Sequence, residues 1–415
     1  MPVLRRLPPA GVLLLILFAV APVLHAGEPL TLARAEALAL SQAPLLSHHR
    51  TNVIAASERA VYEGRLPDPQ LTVGAVNVPA DSFSLRQEDM TMQMVSIRQS
   101  IPPGDTLALK ERRAQKEVSR EEARLEIERR TLTKKIRQLW LDLYMREQSV
   151  RVMEESRALQ ARALAAIEGR YRAAQELQRT VMRTRLDLAR FDERLLMMEA
   201  QVSTLRAQLG RWLGEASNDP LPIGTPALPR LAGNFDVVQH PIWLAAQVGL
   251  EMAQTDVDIT RQEYKPGMMF DVSYGVRQNS PSGVQRSNMV TALVTFDLPI
   301  FRGKRQDRRL AEKQSLEAAA RYEADDMRRD LESMYRATRA EHEALQARVR
   351  IVEEQLLPSA RREAQATAAG AVRDANELRE AQMRALDAEI TLIQLRVELA
   401  KSHAELLYLT GEPQS

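Results

Sequence analysis

The sequence predicts a mainly α-helical chain with a small β part, in which long helical hairpins build a coiled-coil barrel and short strands build a transmembrane β-barrel that several copies complete. Three features predict this class. The chain is duplicated almost end to end, its longest polar segments carry apolar residues stepping by three and four, and four short runs alternate apolar with polar residues.

Composition removes several alternatives. Aromatic residues make up only 4% of the 415 residues and charged residues 27%, which argues against a compact core built on Phe, Tyr and Trp. The 57 basic and 55 acidic side chains leave a net charge of +2, so no basic face seeks phosphate and nucleic acid is not an expected partner. There is no cysteine. Disulfides, thiolate metal sites, cysteine nucleophiles and a lipid anchor on an N-terminal Cys are all excluded.

At the N-terminus, Arg5 and Arg6 precede an apolar run from Gly11 to Leu24 that gives way to His25, Ala26 and Gly27. This order predicts a secretory signal peptide over residues 1–26, cleaved after Ala26, and a mature chain that leaves the cytoplasm. The run is shorter than the roughly 20 residues a membrane-spanning helix needs.

The duplication sets the domain plan. Gly64-Arg65-Leu66-Pro67 matches Glu263-Tyr264-Lys265-Pro266, and the same offset pairs Leu71 with Phe270, Val73 with Val272, Ile97 with Phe296, Ile101 with Ile300 and Gly104 with Gly303. A slightly shifted alignment places Leu213-Gly214-Glu215 over Thr410-Gly411-Glu412. The expected organisation is a first repeat over residues 27–217, a proline-rich linker over 218–234 and a second repeat over 235–415.

Within each repeat a helical lead-in, about residues 30–65 and 235–264, is followed by two strands and a long helix pair. In the second repeat Phe270, Val272, Tyr274 and Val276 alternate with Asp271, Ser273, Gly275 and Arg277, and Val290, Ala292, Val294, Phe296 and Leu298 form the next run. Leu71, Val73 and Ala75, then Val95 and Ile97, are their counterparts. For the helices, Leu188, Phe191, Leu195, Met198, Val202, Leu205, Leu209 and Trp212 form one unbroken seam; Met383, Leu386, Ile390, Ile393, Val397, Ala400, Ala404 and Leu407 form another. The helix before the first seam, from Asp105 to about Glu168, would span roughly 96 Å.

Four strands cannot close a barrel. In hydrocarbon the two outer edges would carry unsatisfied backbone groups, so the sheet must pair with further copies of itself. Two copies would give eight strands and three would give twelve.

The whole plan resembles the TolC-like outer-membrane efflux proteins over nearly the entire mature chain. Leu356-Leu357-Pro358, then Ala369-Gly370-Ala371-Val372 and Glu377-Leu378, resemble that family's proline-kinked helix and the glycine turn at its periplasmic tip. Asp68-Pro69-Gln70-Leu71, Asn77-Val78-Pro79, Met90-Thr91-Met92 and Pro102-Pro103-Gly104-Asp105 resemble its heavy-metal, CusC- and CzcC-like, branch, from which the missing lipid-anchor cysteine departs. The resemblance implies a homotrimer with a twelve-stranded barrel in outer-membrane lipid, a periplasmic helical tunnel, a periplasmic adaptor and an inner-membrane pump as partners, and passive export without a cofactor or catalytic residues. Heavy-metal cations are the expected cargo; drug efflux or type I secretion is the alternative.

Site candidates follow from that plan. Gly370 and Ala174 mark the two periplasmic tips, Pro358 the helix kink, and Asp374 a pore gate, because symmetry copies of one carboxylate would form a cation-selecting ring. Asp374 reads equally as a solvated helix-start carboxylate. Other residues read as structural. Met90, Met92, Met94, Met268, Met269 and Met289 are thioethers that suit Cu(I) or Ag(I), but are expected to cover apolar surface at the barrel ends. Adjacent His48 and His49 point apart on a helix, His342-Glu343 lacks a second histidine at Gln346, and Gly303-Lys304 lacks the rest of a phosphate loop. A periplasmic adaptor would show one hairpin flanked by β domains instead of two repeats, and a secreted hydrolase would need a clustered set of His, Asp or Ser.

Overall fold

A computed structural model describes residues 28–224, 226–231, 235–369 and 375–411. The signal peptide expected over 1–26 lies outside the described residues. The elements run α1 (Leu32–Gln42), α2 (Pro44–Glu63), β1 (Gln70–Val76), β2 (Met92–Ile101), α3 (Thr106–Arg172) and α4 (Gln178–Leu213). They continue as α5 (Pro241–Gln262), β3 (Gly267–Val276), β4 (Met289–Asp297), α6 (Gln306–Ile351), a π-helical turn (Val352–Leu356), α7 (Leu357–Ala369) and α8 (Ala375–Thr410). Lead-in helix, two strands and a long helix pair therefore occur twice.

The strands form one antiparallel sheet in the order β1-β2-β3-β4, so β2 and β3 join the two halves. Its register lines up Val73, Val95, Tyr274 and Val290 on one face and Thr72, Ser96, Ser273 and Thr291 on the other. From this sheet the helices run away in one direction. α3 has 67 residues and extends about 100 Å.

The first lead-in breaks where one helix was expected. Pro44 has no N–H to continue the ladder and forces Ala43 into an extended conformation (ψ 113°), which ends α1 and lets Pro44 open α2. In the second half His240 caps α5, its Nδ1 accepting the Ile242 N–H at 3.3 Å. The duplicated glycines both follow long helices at positive φ, Gly214 at +57° and Gly411 at +80°. That is the helix-ending conformation an L side chain disfavours.

The densest packing lies midway along the helices. Trp140 is fully buried, donates Nε1–H to the Leu30 carbonyl at 2.8 Å and stacks on Tyr144. Leu46, Ile136, Leu141, Leu143 and Leu209 surround it. The proline-rich segment is part of this packing: Leu221 is buried, Pro220 O accepts the Leu30 N–H, and His403 reaches Pro229 O at 2.8 Å. Every residue of both predicted seams is buried or half-buried. On α8, however, the seam around Leu386 packs with Met153 and Phe191 of the first half, whereas Leu392 and Leu395 pack on Leu345, Val349 and Leu357 of the second. α8 is covered on two sides.

Ion pairs join the halves along their length. Near the sheet, α3 reaches α5 through Arg113–Asp256 and Lys116–Glu251, both 2.5 Å. Midway it reaches α8 through Lys134–Glu405 at 3.0 Å and Asp142–Lys401 at 2.6 Å. Towards the far end Arg379 of α8 pairs with Asp187 of α4.

Candidate channel wall and its two ends

The sheet reverses the usual placement of polar and apolar residues. On its apolar face Leu71, Val73, Ile97, Val272, Val290 and Phe296 are all exposed, Val73 at 70% and Val290 at 72%. On its polar face Ser96 is buried, Asp271 and Ser273 are half-buried, and Arg98 pairs with Asp271 at 2.9 Å. Polar side chains that cover one another, backed by apolar side chains that nothing covers, describe a wall between water and hydrocarbon. β1 and β4 each pair on one side only within the chain, which leaves two open edges. No described helix is long and apolar enough to cross a membrane.

At the sheet's outer end, the loops after β1 and β3 are tied together. Arg286 pairs with Asp89 at 2.5 Å and also donates to the carbonyls of Arg86, Glu88 and Gln278, while Arg86 donates to Gln278 Oε1 at 3.1 Å.

The opposite end is the helical tip. Between α3 and α4 the turn closes with Gln175 N–H on Arg170 O at 2.9 Å, and Ala174 sits at φ +55°. The first repeat thus has no glycine there, yet its backbone adopts the conformation that favours one. Glu176 accepts the Leu177 N–H, and this bond holds its carboxyl below the usual range. In the second half Gly370 and Asp374 lie outside the described residues. Pro358 lies in α7, two residues past the π-helical turn; lacking an N–H, it cannot serve the Glu354 carbonyl, and the widened turn stands where that bond is lost.

Above the tip, Asp187 holds Arg379 and, at 3.5 Å, Arg190. They line a groove of about 500 Å³ between α4 and α8 with Arg183, Arg194 and Phe191. No periodicity reveals such a tie, since its partners lie in different repeats. Midway, His240 is buried and its pKa is held down to about 4, chiefly by burial and further by Arg130 and Lys134. Burial also lowers His342, which bonds Ser402 Oγ at 2.8 Å. Among the described residues no group of His, Asp and Glu side chains is placed to hold a metal ion.

Residues 238–412 match the family model for outer membrane efflux proteins. The solved structure of VceC from Vibrio cholerae superposes with a TM-score of 0.77 at 16% identity, covering 92% of this chain and 96% of VceC. CusC gives 0.77 at 13% identity, with 93% of each chain covered. The chain has the fold of the outer-membrane efflux channels. The open-state MtrE channel of Neisseria gonorrhoeae shares this fold too, at a TM-score of 0.75 and 15% identity over 92% of this chain and 89% of that one. No curated protein matches at the level of sequence.

Proposed function

We propose that this protein is the outer-membrane channel of a tripartite efflux system, a passive duct with no catalytic step of its own. One observation carries the reading: a four-stranded sheet with an exposed apolar face, a polar face and two open edges is mounted on helices about 100 Å long. Three copies would close twelve strands in outer-membrane lipid and continue them as a periplasmic tunnel. A periplasmic adaptor and an inner-membrane pump would then supply contact and energy. The family match over residues 238–412 supports the reading, as does the recurrence of lead-in helix, two strands and long helix pair between Leu32 and Leu213 and again between Pro241 and Thr410.

Heavy-metal cations are the proposed cargo, supported by the branch motifs at Asp68-Pro69, Asn77-Val78-Pro79 and Pro102-Pro103-Gly104. We place the gate at the tip, with Asp374 as its acidic ring, Ala174 and Gly370 as its turns, and the backbone before Pro358 as the flexible element of the helix above. Fractionation and planar bilayers test the assignment. The protein should leave the outer membrane only with detergent and should form cation-selective pores, which Asp374→Ala makes less selective. A water-soluble periplasmic product without pores would overturn the channel reading. Cells lacking the channel should become sensitive to one or more of copper, silver, zinc, cobalt and cadmium; unchanged growth on all five removes the metal cargo.

A further inference from the structure

Four of the methionines expected to cover apolar surface, Met92, Met94, Met269 and Met289, lie on the opposite side of the sheet, and the first two and the last gather at one end of it. One row crosses all four strands as Gly74, Met94, Gly275 and Met289, so glycines alternate with methionines on the polar face. Met92, two residues before Met94 on β2, shares that face and lays its sulfur over Gly275, where any side chain would collide with it. Met94 and Met289 flank the same glycine, their Cα atoms roughly 10 Å apart across two strand spacings. Three unbranched thioether side chains therefore share one face about a single Cβ-free position, with the Met92 sulfur directly over it, and all three are half-buried. Met268, by contrast, lies on the apolar face and is exposed, as lipid-facing cover would be.

We propose that Met92, Met94 and Met289 form a thioether site for a soft monovalent cation, Cu(I) or Ag(I), on the channel wall near its outer mouth. The proposal rests on the channel reading, because it takes the polar face to line water. On a wetted wall there is no hydrocarbon for these side chains to cover, and a side chain in place of Gly275 would fill the space the Met92 sulfur enters. Neutral sulfur ligands without thiolate, imidazole or carboxylate suit soft monovalent ions and leave Zn(II), which prefers N, O or thiolate donors, poorly held. Asp89, on the neighbouring loop, is taken up by Arg286. Met side chains also adapt to a ligand at little cost, being unbranched with three rotatable bonds.

The full chain, purified in detergent and shown to form pores in planar bilayers, is titrated with Ag(I) and separately with Zn(II). Wild type should bind Ag(I) and not Zn(II). Met92→Leu, Met94→Leu and Met289→Leu should each weaken Ag(I) by about tenfold or more, as expected when one of three ligands is lost. The triple variant should lose the site, and Met269→Leu, on the same face at the other end, should leave it unchanged. In the unaltered protein, Ag(I) should protect Met92, Met94 and Met289, but not Met269, from oxidation to sulfoxide, read by mass spectrometry. Pores that bind no Ag(I), or that bind it equally in the triple variant, overturn the site and leave the channel standing. Protein that forms no pores overturns the reading on which the site rests.

Discussion

The two halves of this chain repeat one set of elements and use them differently. α3 is a single helix of 67 residues set among α1, α2, α4, α5 and α8, and it carries Ile136, Trp140 and Leu143 into the densest core. Its counterpart is divided into α6, a π-helical turn and α7, and much of α6 is uncovered: Leu316, Tyr322 and Met334 are all exposed. Duplication thus yields one rigid post and one interrupted arm. The arm's exposed side is available to neighbouring copies, and its break lies just above the end assigned to the gate.

The largest expected effect tests the post. Trp140→Ala should cost about 3–5 kcal/mol, because it opens a cavity at a fully buried site and leaves Leu30 O without its donor. Tyr335→Ala on α6 removes only a half-buried ring stacked on Phe235, and should cost roughly 1 kcal/mol beyond the lost burial. Denaturant unfolding compares them; equal losses would erase the distinction between post and arm.

Acid should act on the packing between the halves. His240 is neutral in the folded chain down to about pH 4, whereas an unfolded histidine takes up its proton near 6.5. The unfolded state therefore binds more protons between those values, so stability is full above pH 6.5 and falls as pH drops towards 4, by roughly 1–3 kcal/mol. Replacing His240 with Gln should flatten that slope in thermal melts taken from pH 7 to 4.

At the tip, Asp187→Asn weakens the tie between α4 and α8 and leaves Arg379 without its carboxylate in a mostly covered groove, at a cost of about 1–3 kcal/mol. Single-pore recordings should then show longer open times. Unaltered gating would assign the pair to stability alone. The smallest effect falls on the first tip turn, where Ala174→Gly relieves the positive φ and should stabilise the turn by about 0.5 kcal/mol, with slower protease nicking there.

Sequence carried much of this architecture because its signals are local and periodic. Alternation from Phe270 to Val276 marked β3, and the seam from Leu188 to Trp212 marked the packed face of α4. A single period could not reveal that α8 packs on two sides, since Leu392 and Leu395 lie off the seam that Leu386 and Ile390 follow. Pro44 was a visible break, yet the apolar pattern continues across it. The site was less legible. Asp187 and Arg379 are joined only by the tertiary fold, and the thioether row depends on a register that pairs residues of different repeats. Gly370 follows from resemblance and Asp374 from its place beside that turn, and both lie outside the described residues.

The open borders of β1 and β4 bear on how the molecule must be made. A newly made subunit carries two backbone templates that any extended segment can join, next to greasy side chains that water does not tolerate. Its safe lifetime alone is short, so on the channel reading production has to be matched to encounter with sister subunits. A holding chaperone that masks those borders would decide how much polypeptide matures and how much is lost to aggregation.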